Sequence, residues 1–225
     1  MAAHQKTQAG ELPQSAGMRP PQQARSQRSL ERVLTAGAEI LAEQGYDGFT
    51  ITDVAVHAGV SVGMIYKRFE NKAAFFEAIL IREQARIVAE ENQRLEAAAA
   101  SATSLADFIS TAIRAIADIT RREGRLTRVF NERSVAEPEL LKHPEAGRPA
   151  PRLFARLLLE RRAEVRHPDP EQAADMAFWL CDSALDRRVN TPFWRHWDPD
   201  ADNDWPRFVD SLVYAVQRFL LCASC

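Results

Sequence analysis

Residues 50–76 read TITDVAVHAGVSVGMIYKRFENKAAFF. Thr50 is an N-cap by residue type, and Asp53 stands three positions on, where its carboxylate can reach back to the cap's own N–H as a capping box. Ile51, Val54, Ala55 and Ala58 follow at i, i+3, i+4 and i+7, one apolar helical face. Gly59 ends that helix, because the stop needs a residue at ease in left-handed backbone, and Val60 is the apolar contact that accompanies it. Ser61 caps a second short helix whose Val62, Ile65 and Phe69 side chains point inward. Gly63, Met64, Lys67 and Arg68 are left facing out, with Tyr66 at the edge. A short helix held rigidly on another, showing small residues, an aromatic and two cations, suits the major groove of DNA.

Upstream, Leu30, Val33, Leu34, Ala38 and Leu41 keep helical spacing from Ser29 to Gln44, and Gly45 ends the run. Tyr46-Asp47-Gly48-Phe49 is a turn whose aromatics plug a small three-helix core. Residues 1–25, rich in Gln, Pro, Ser and Ala, hold too few large apolar groups to offset the entropy of ordering, so a disordered tail is expected. It reads as a solvated leader, though Arg19, Arg25 and Arg28 could reach a phosphate backbone or a minor groove. Downstream, Asn71 caps the next helix, and Phe75, Phe76, Ile79 and Leu80 pack back on the small domain. Arg82, Glu83, Arg86, Glu90, Glu91 and Arg94 then form a charged side. One continuous helix is expected to link two domains, the geometry needed to transmit a movement.

The spacing of Val54-Ala55, Ala58-Gly59-Val60-Ser61, Gly63, Ile65-Tyr66, Phe69 and Lys72 resembles the DNA-binding domain of the tetracycline-repressor (TetR/AcrR) family of bacterial transcriptional regulators. The likeness covers Ser29 to Leu80. Met64 stands where a small or polar residue is frequent in that family, and Ala73-Ala74 replace the acidic residue often found after the lysine. The first bears on base preference and the second weakens the cap of the following helix. The resemblance implies an all-α chain with an N-terminal three-helix helix-turn-helix domain and a larger C-terminal helical domain for ligand binding and dimerisation. Residues 26–76 would form the first and residues 77–225 the second.

Composition agrees. A chain of 225 residues, 46% hydrophobic and 27% charged, buries a substantial core and has room for one small and one larger domain. A net charge of −2 argues against nonspecific coating of nucleic acid, so DNA binding must come from a local patch. No apolar run nears the roughly 20 residues a membrane span needs. Three cysteines without a secretory signal point to the cytoplasm.

Beyond the linking helix, small residues from Ala97 to Thr103 read as a break. Helices are expected over Leu105–Arg122, Leu126–Ser134 and Arg152–Glu164, with a Pro- and Gly-bearing connection from Pro138 to Pro151. In the next long helix, apolar residues from Ala173 to Val189, among them Met176, Leu180 and Phe178, cover an arc of roughly 220°. A surface helix shows a stripe of about 100° or somewhat more, so burial on two sides is expected. The last helix, Trp205 to Leu220, has a clean stripe including Phe208, Leu212, Val216 and Phe219. The two could pair with their copies across a two-fold axis, or close a monomeric core; the family likeness favours the homodimer. Affinity favours it too. One recognition helix supplies two or three base contacts of about 1–3 kcal/mol each, whereas specific binding sits about 4–10 kcal/mol above nonspecific binding.

The candidate DNA contacts are Thr50, Ser61, Val62, Gly63, Met64, Tyr66, Lys67, Arg68 and Lys72. Arg68 has the planar fork that suits guanine. Tyr66 donates to a phosphate, and Lys72 adds charge at a helix N-terminus that already attracts anions. Thr50 and Ser61 either touch phosphate or serve only as caps. Gly63 permits close approach of backbone to DNA. For a small apolar or aromatic effector, the candidate wall is Phe108, Ile113, Phe130, Asn131, Phe154 and Phe178, residues that plain core packing also explains. A ligand of this kind acts through differential binding, a coupling of about 1–3 kcal/mol.

Other signals mostly fail. Asp198, Asp200, Asp202 and Asp204 alternate like the start of a calcium loop, but Asn203 and Val209 stand where its glycine and final acid belong, and the aspartates read as caps of the last helix. Cys222 and Cys225 have redox spacing without a strand–helix context. His57 lies on the polar side of its helix, solvated or near phosphate. No metal or cofactor is expected. With no nucleophile–base pair or phosphate loop visible, an enzyme has little support against a ligand-responsive homodimeric repressor on a palindromic operator. A protein-binding adaptor or a non-DNA ligand-binding protein on the same fold is the alternative.

Overall fold

The computed structural model describes residues 22–137, 150–190 and 204–222. Among these residues the chain is all-α: α1 (Gln22–Gly48), α2 (Ile51–Ala58), α3 (Val62–Tyr66), α4 (Lys72–Ser101), α5 (Leu105–Ala136), α6 (Ala150–Leu159), α7 (Pro170–Asn190) and α8 (Trp205–Leu221). A 3-10 turn, Arg162–Glu164, follows α6. The tail of residues 1–21, most of the Pro138–Pro151 connection, Asp198, Asp200, Asp202 and Cys225 lie outside the described residues.

Two apolar clusters organise these helices. The smaller gathers α1 to the start of α4, with Leu41, Phe49, Val54, Ile65, Phe75 and Phe76 buried. Phe75 stacks on Phe49 with ring centroids 5.7 Å apart and meets Phe69 at 4.9 Å. The turn aromatics Tyr46 and Phe49 do plug this core, as the spacing suggests. The larger cluster packs α5 against α6, α7 and α8, with the far half of α4 alongside. The end of α5 crosses over: Leu126, Val129 and Phe130 belong to the small cluster. So two helices, α4 and α5, carry both cores.

Several boundaries differ from the sequence expectation. Helix α1 starts at Gln22 and so includes the end of the expected tail; Gly45, at φ 71 and ψ 178, breaks the helical path where a stop was expected. Helix α4 runs on to Ser101, because Ala97–Ala100 continue a helix as well as any residues can, and only the β-region residue Ala102 ends it. The expected helices 105–122 and 126–134 are one helix of 32 residues. Gly124, between them, does not stop it. The glycine is buried, and a Cβ built there would lie 2.1 Å from Val189 Cγ1, so it marks a close crossing of α5 and α7. Among the described residues no helix is long and apolar enough to cross a membrane.

Candidate nucleic-acid interface

Local chemistry sets the angle of α3. The Thr50 hydroxyl accepts the Asp53 N–H at 3.1 Å and donates to the Asp53 carboxylate at 2.6 Å. The acid therefore meets the cap's hydroxyl, not its N–H. At the other end Gly59 is left-handed (φ 64, ψ 42), and Val60 N–H donates to Ala55 C=O at 2.9 Å, the six-to-one closure of a Schellman stop. Ile65, 1% exposed, drives α3 onto α2, with Val62 and Phe69 half-buried beside it. One further turn continues through Lys67, Arg68 and Phe69, whose N–H groups return to Gly63 and Ile65.

Gly63, Tyr66, Lys67 and Arg68 are all exposed, as the helical spacing implies. Met64 is half-buried, so its presentation is weaker than expected. The two capping hydroxyls differ in a way the sequence does not reveal. The Thr50 proton is committed to Asp53, whereas Ser61, exposed at the start of α3, makes no capping bond. Correspondingly, α3 lacks the side-chain cap expected of Ser61. His57 is not simply solvated: its Nε2 lies 2.8 Å from Glu39 Oε2, joining α2 to α1.

Three side chains have partners that sequence reading missed. Arg68 donates to the Ser26 carbonyl at 3.1 Å and to the Ser26 hydroxyl, so the N-terminal turns of α1 lie against the recognition helix. Lys72 Nζ donates to the Tyr46 carbonyl at 2.7 Å and sits 4.5 Å from the Tyr46 ring centroid. Arg133, from the end of α5, lies 4.0 Å from the same centroid. Glycines on both sides of Tyr46-Asp47 hint at an ordered turn, but nothing local names these partners.

The six candidate effector residues do not form one wall. Phe108, Ile113, Phe154 and Phe178 share the large cluster, with ring centroids 5.9 Å apart for Phe108–Phe154 and 6.2 Å for Phe154–Phe178. Phe130 packs on Phe76 at 5.8 Å in the small cluster, and Asn131 faces outward. Those two follow from treating residues 126–134 as a separate helix; on the continuous α5 they fall past the large core. A different opening, a cleft of about 370 Å³, lies where α1, α4 and α5 meet, lined by Thr35, Arg82, Arg86, Arg122 and Glu123 among others. Of the remaining residues, Asp204 stands at the N-cap of α8 without a side-chain capping bond. Burial, with Asp182 nearby, pushes the Cys181 thiol up to about 12.

An exposed α3 held on α2 beside the small apolar cluster, with long helices running on to the larger cluster, is the arrangement of a helix-turn-helix fold. Residues 33–79 match the family model described as bacterial regulatory proteins, tetR family. Over these residues the chain is similar to the TetR family of bacterial regulatory proteins. It is 36% identical over 59 residues to the HTH-type transcriptional repressor BepR of Brucella suis, a match covering 26% of this chain and only 28% of that relative. A longer alignment, 24% identical over 189 residues, covers 81% of the chain and 84% of the nucleoid occlusion factor SlmA of Haemophilus influenzae. A crystal structure of a TetR-family regulator from Mesorhizobium loti superposes with a TM-score of 0.68 at 18% identity, over 86% of this chain and 96% of that one.

Proposed function

We propose that the protein is a cytoplasmic homodimeric repressor that reads a palindromic operator through two copies of α3 and is released by a small apolar or aromatic effector. The observation that carries this reading is the exposure of Gly63, Tyr66, Lys67 and Arg68 on a helix whose other face is buried. Ser61, Arg68 and Lys72 serve as phosphate and base contacts, with Val62 and Met64 shaping the edge of the surface. The dimer is supported by α7 and α8. Ala173, Ala177, Cys181 and Leu185 bury one side of α7, while Met176, Trp179 and Leu180 remain 45%, 55% and 43% exposed on another. Tyr214 on α8 is 65% exposed. Of these, Met176 and Leu180 belong to the wide apolar arc of α7, and a second copy would cover that side. The effector is assigned to the Phe108–Phe154–Phe178 core of residues 77–225, and no catalytic role is assigned to the chain.

The test is a gel shift with the DNA flanking its own gene, followed by binding-site selection from a random duplex pool. A palindrome with half-site centres about 34–36 Å apart is expected. Equal affinity for every duplex, or a monomer by light scattering, would falsify the reading. The alternative is a protein-binding adaptor on the same fold, whose larger domain answers to a protein partner and not to a small molecule. Operator release by an apolar compound separates the two.

A further inference from the structure

We propose that Arg133, at the C-terminal end of α5, is a positioning residue for DNA binding: through the ring of Tyr46 it fixes where Lys72 holds its ammonium. This rests on the regulator reading above and adds a route by which the larger domain acts on the DNA-binding end. A lysine is a point charge on four flexible carbons, so holding its ammonium in place spares part of the entropy lost when it meets a phosphate. Lys72 is held by one carbonyl and two rings. Its Nζ is 2.7 Å from the Tyr46 carbonyl, and the rings of Tyr46 and Phe49 lie 4.5 and 5.6 Å away. The carbonyl uses one of three N–H donors, which leaves the others for an anion beside the N-terminus of α4.

The ring that fixes Lys72 is itself gripped from α5. Phe76 meets Tyr46 edge-on at 4.9 Å, and Phe130 meets Phe76 at 5.8 Å. Arg133, almost one turn beyond Phe130, brings its guanidinium to 4.0 Å from the Tyr46 centroid and is braced by donating to Glu137. Two cations on one ring attract it and repel each other. The cluster therefore gains from an anion close by, which a DNA phosphate supplies. Because the first half of α5 is built into the large core, a shift of that helix carries Arg133 with it, and the carbonyl and ring that hold Lys72 follow.

The experiment measures affinity against salt for the palindromic duplex selected by the wild-type protein, and for sonicated duplex DNA of mixed sequence. Arg133→Ala is expected to weaken both about three- to fivefold, the size of a partly exposed cation–ring contact. It should also lower the salt slope toward that of Lys72→Ala. Added to Lys72→Ala it should change nothing further, and Arg133→Lys should keep most of the wild-type affinity. Tyr46→Leu removes the ring without altering charge and should reproduce the loss, while Tyr46→Phe should not. That neutral pair separates positioning from lost charge, and melting curves confirm that each variant folds. Unchanged affinity in Arg133→Ala and Tyr46→Leu, or an equal loss from Arg133→Ala with Lys72 present and absent, overturns the proposal. A wild-type protein that selects no sequence overturns the regulator reading instead.

Discussion

Gly63 has no reason to be glycine inside this chain. It is exposed, a Cβ built on it meets nothing within 4 Å, and the described glycines with positive φ are Gly45 and Gly59 alone. Glycine within a helix costs about 0.5–1 kcal/mol relative to alanine, so its use here points to something that approaches from outside. Gly63→Ala should therefore leave the melting temperature unchanged or raise it, yet weaken operator binding about tenfold, or roughly 1.4 kcal/mol. A melt and a gel shift on one preparation check both halves. Arg68 makes a second case. With Ser26 already bonded to one end of its guanidinium, the fork keeps further donors for a base. Arg68→Lys keeps the charge and loses the plane, so nonspecific affinity should persist while discrimination at one operator position falls by about 1–3 kcal/mol. A panel of single-substitution operators reads that directly. The caps, the glycine stop and the inward Ile65 are legible in sequence because each depends on neighbours within a few residues. The Ser26–Arg68 bond spans 42 positions, and no local pattern encodes it.

At the level of helices, α5 shows why a glycine misleads. The run Arg121–Arg125 is polar and holds Gly124, which resembles a helix end, and a break there is the natural reading. What glycine supplies in this helix is room. Val189 of α7 occupies the space a Cβ would need, and Arg128 one turn on donates to the Val189 carbonyl at 2.8 Å. Partners 60 or more residues apart decide the matter, so periodicity within α5 could not. The consequence is testable. Gly124→Ala should destabilise the protein by about 1–3 kcal/mol, as overpacking does, despite alanine's better helix propensity. Val189→Ala should restore most of that loss in the double variant. If Gly124→Ala melts at or above the wild-type temperature, the crossing is looser than the contact implies. The same continuity sets Phe130 apart from Phe108, Phe154 and Phe178 and joins the far end of α5 to the small cluster.

Across the whole molecule, the small and large cores are tied by ions as well as by these two helices. Arg82 on α4 donates to Thr35 of α1 at 2.8 Å and pairs with Glu31 at 3.3 Å. Arg86 donates to Glu83 and Glu123, each at 2.7 Å, and Arg122 reaches Glu123 at 2.9 Å and Glu90 at 2.5 Å. In sequence the α4 half of this network reads only as a charged side; its α5 half lies about thirty-seven positions away. Burial opposes the charge on Glu123, but hydrogen bonds from Arg86 and Arg122 outweigh it and hold the carboxyl below its ordinary range. Burial likewise opposes the charge on Arg86, but its hydrogen bonds to Glu123 and Glu83 hold the guanidinium above its own ordinary range. A carboxylate with a depressed folded-state pKa stabilises fully above its unfolded value of about 4.3, and that contribution fades as pH falls through the lower folded-state value. Glu123→Gln should therefore cost about 1 kcal/mol or less near pH 7, since both arginines stay partly in water. As pH falls from about 5 toward 3, the wild-type protein should lose that margin and its melting temperature approach the variant's. A constant gap down to the lowest pH at which both fold would mean that Glu123 acts by shape and not by charge. Because the network joins α4 to α5 next to the α1 contact, its loosening should also show as faster amide exchange in α1 and the start of α4, while the α5–α8 core stays protected.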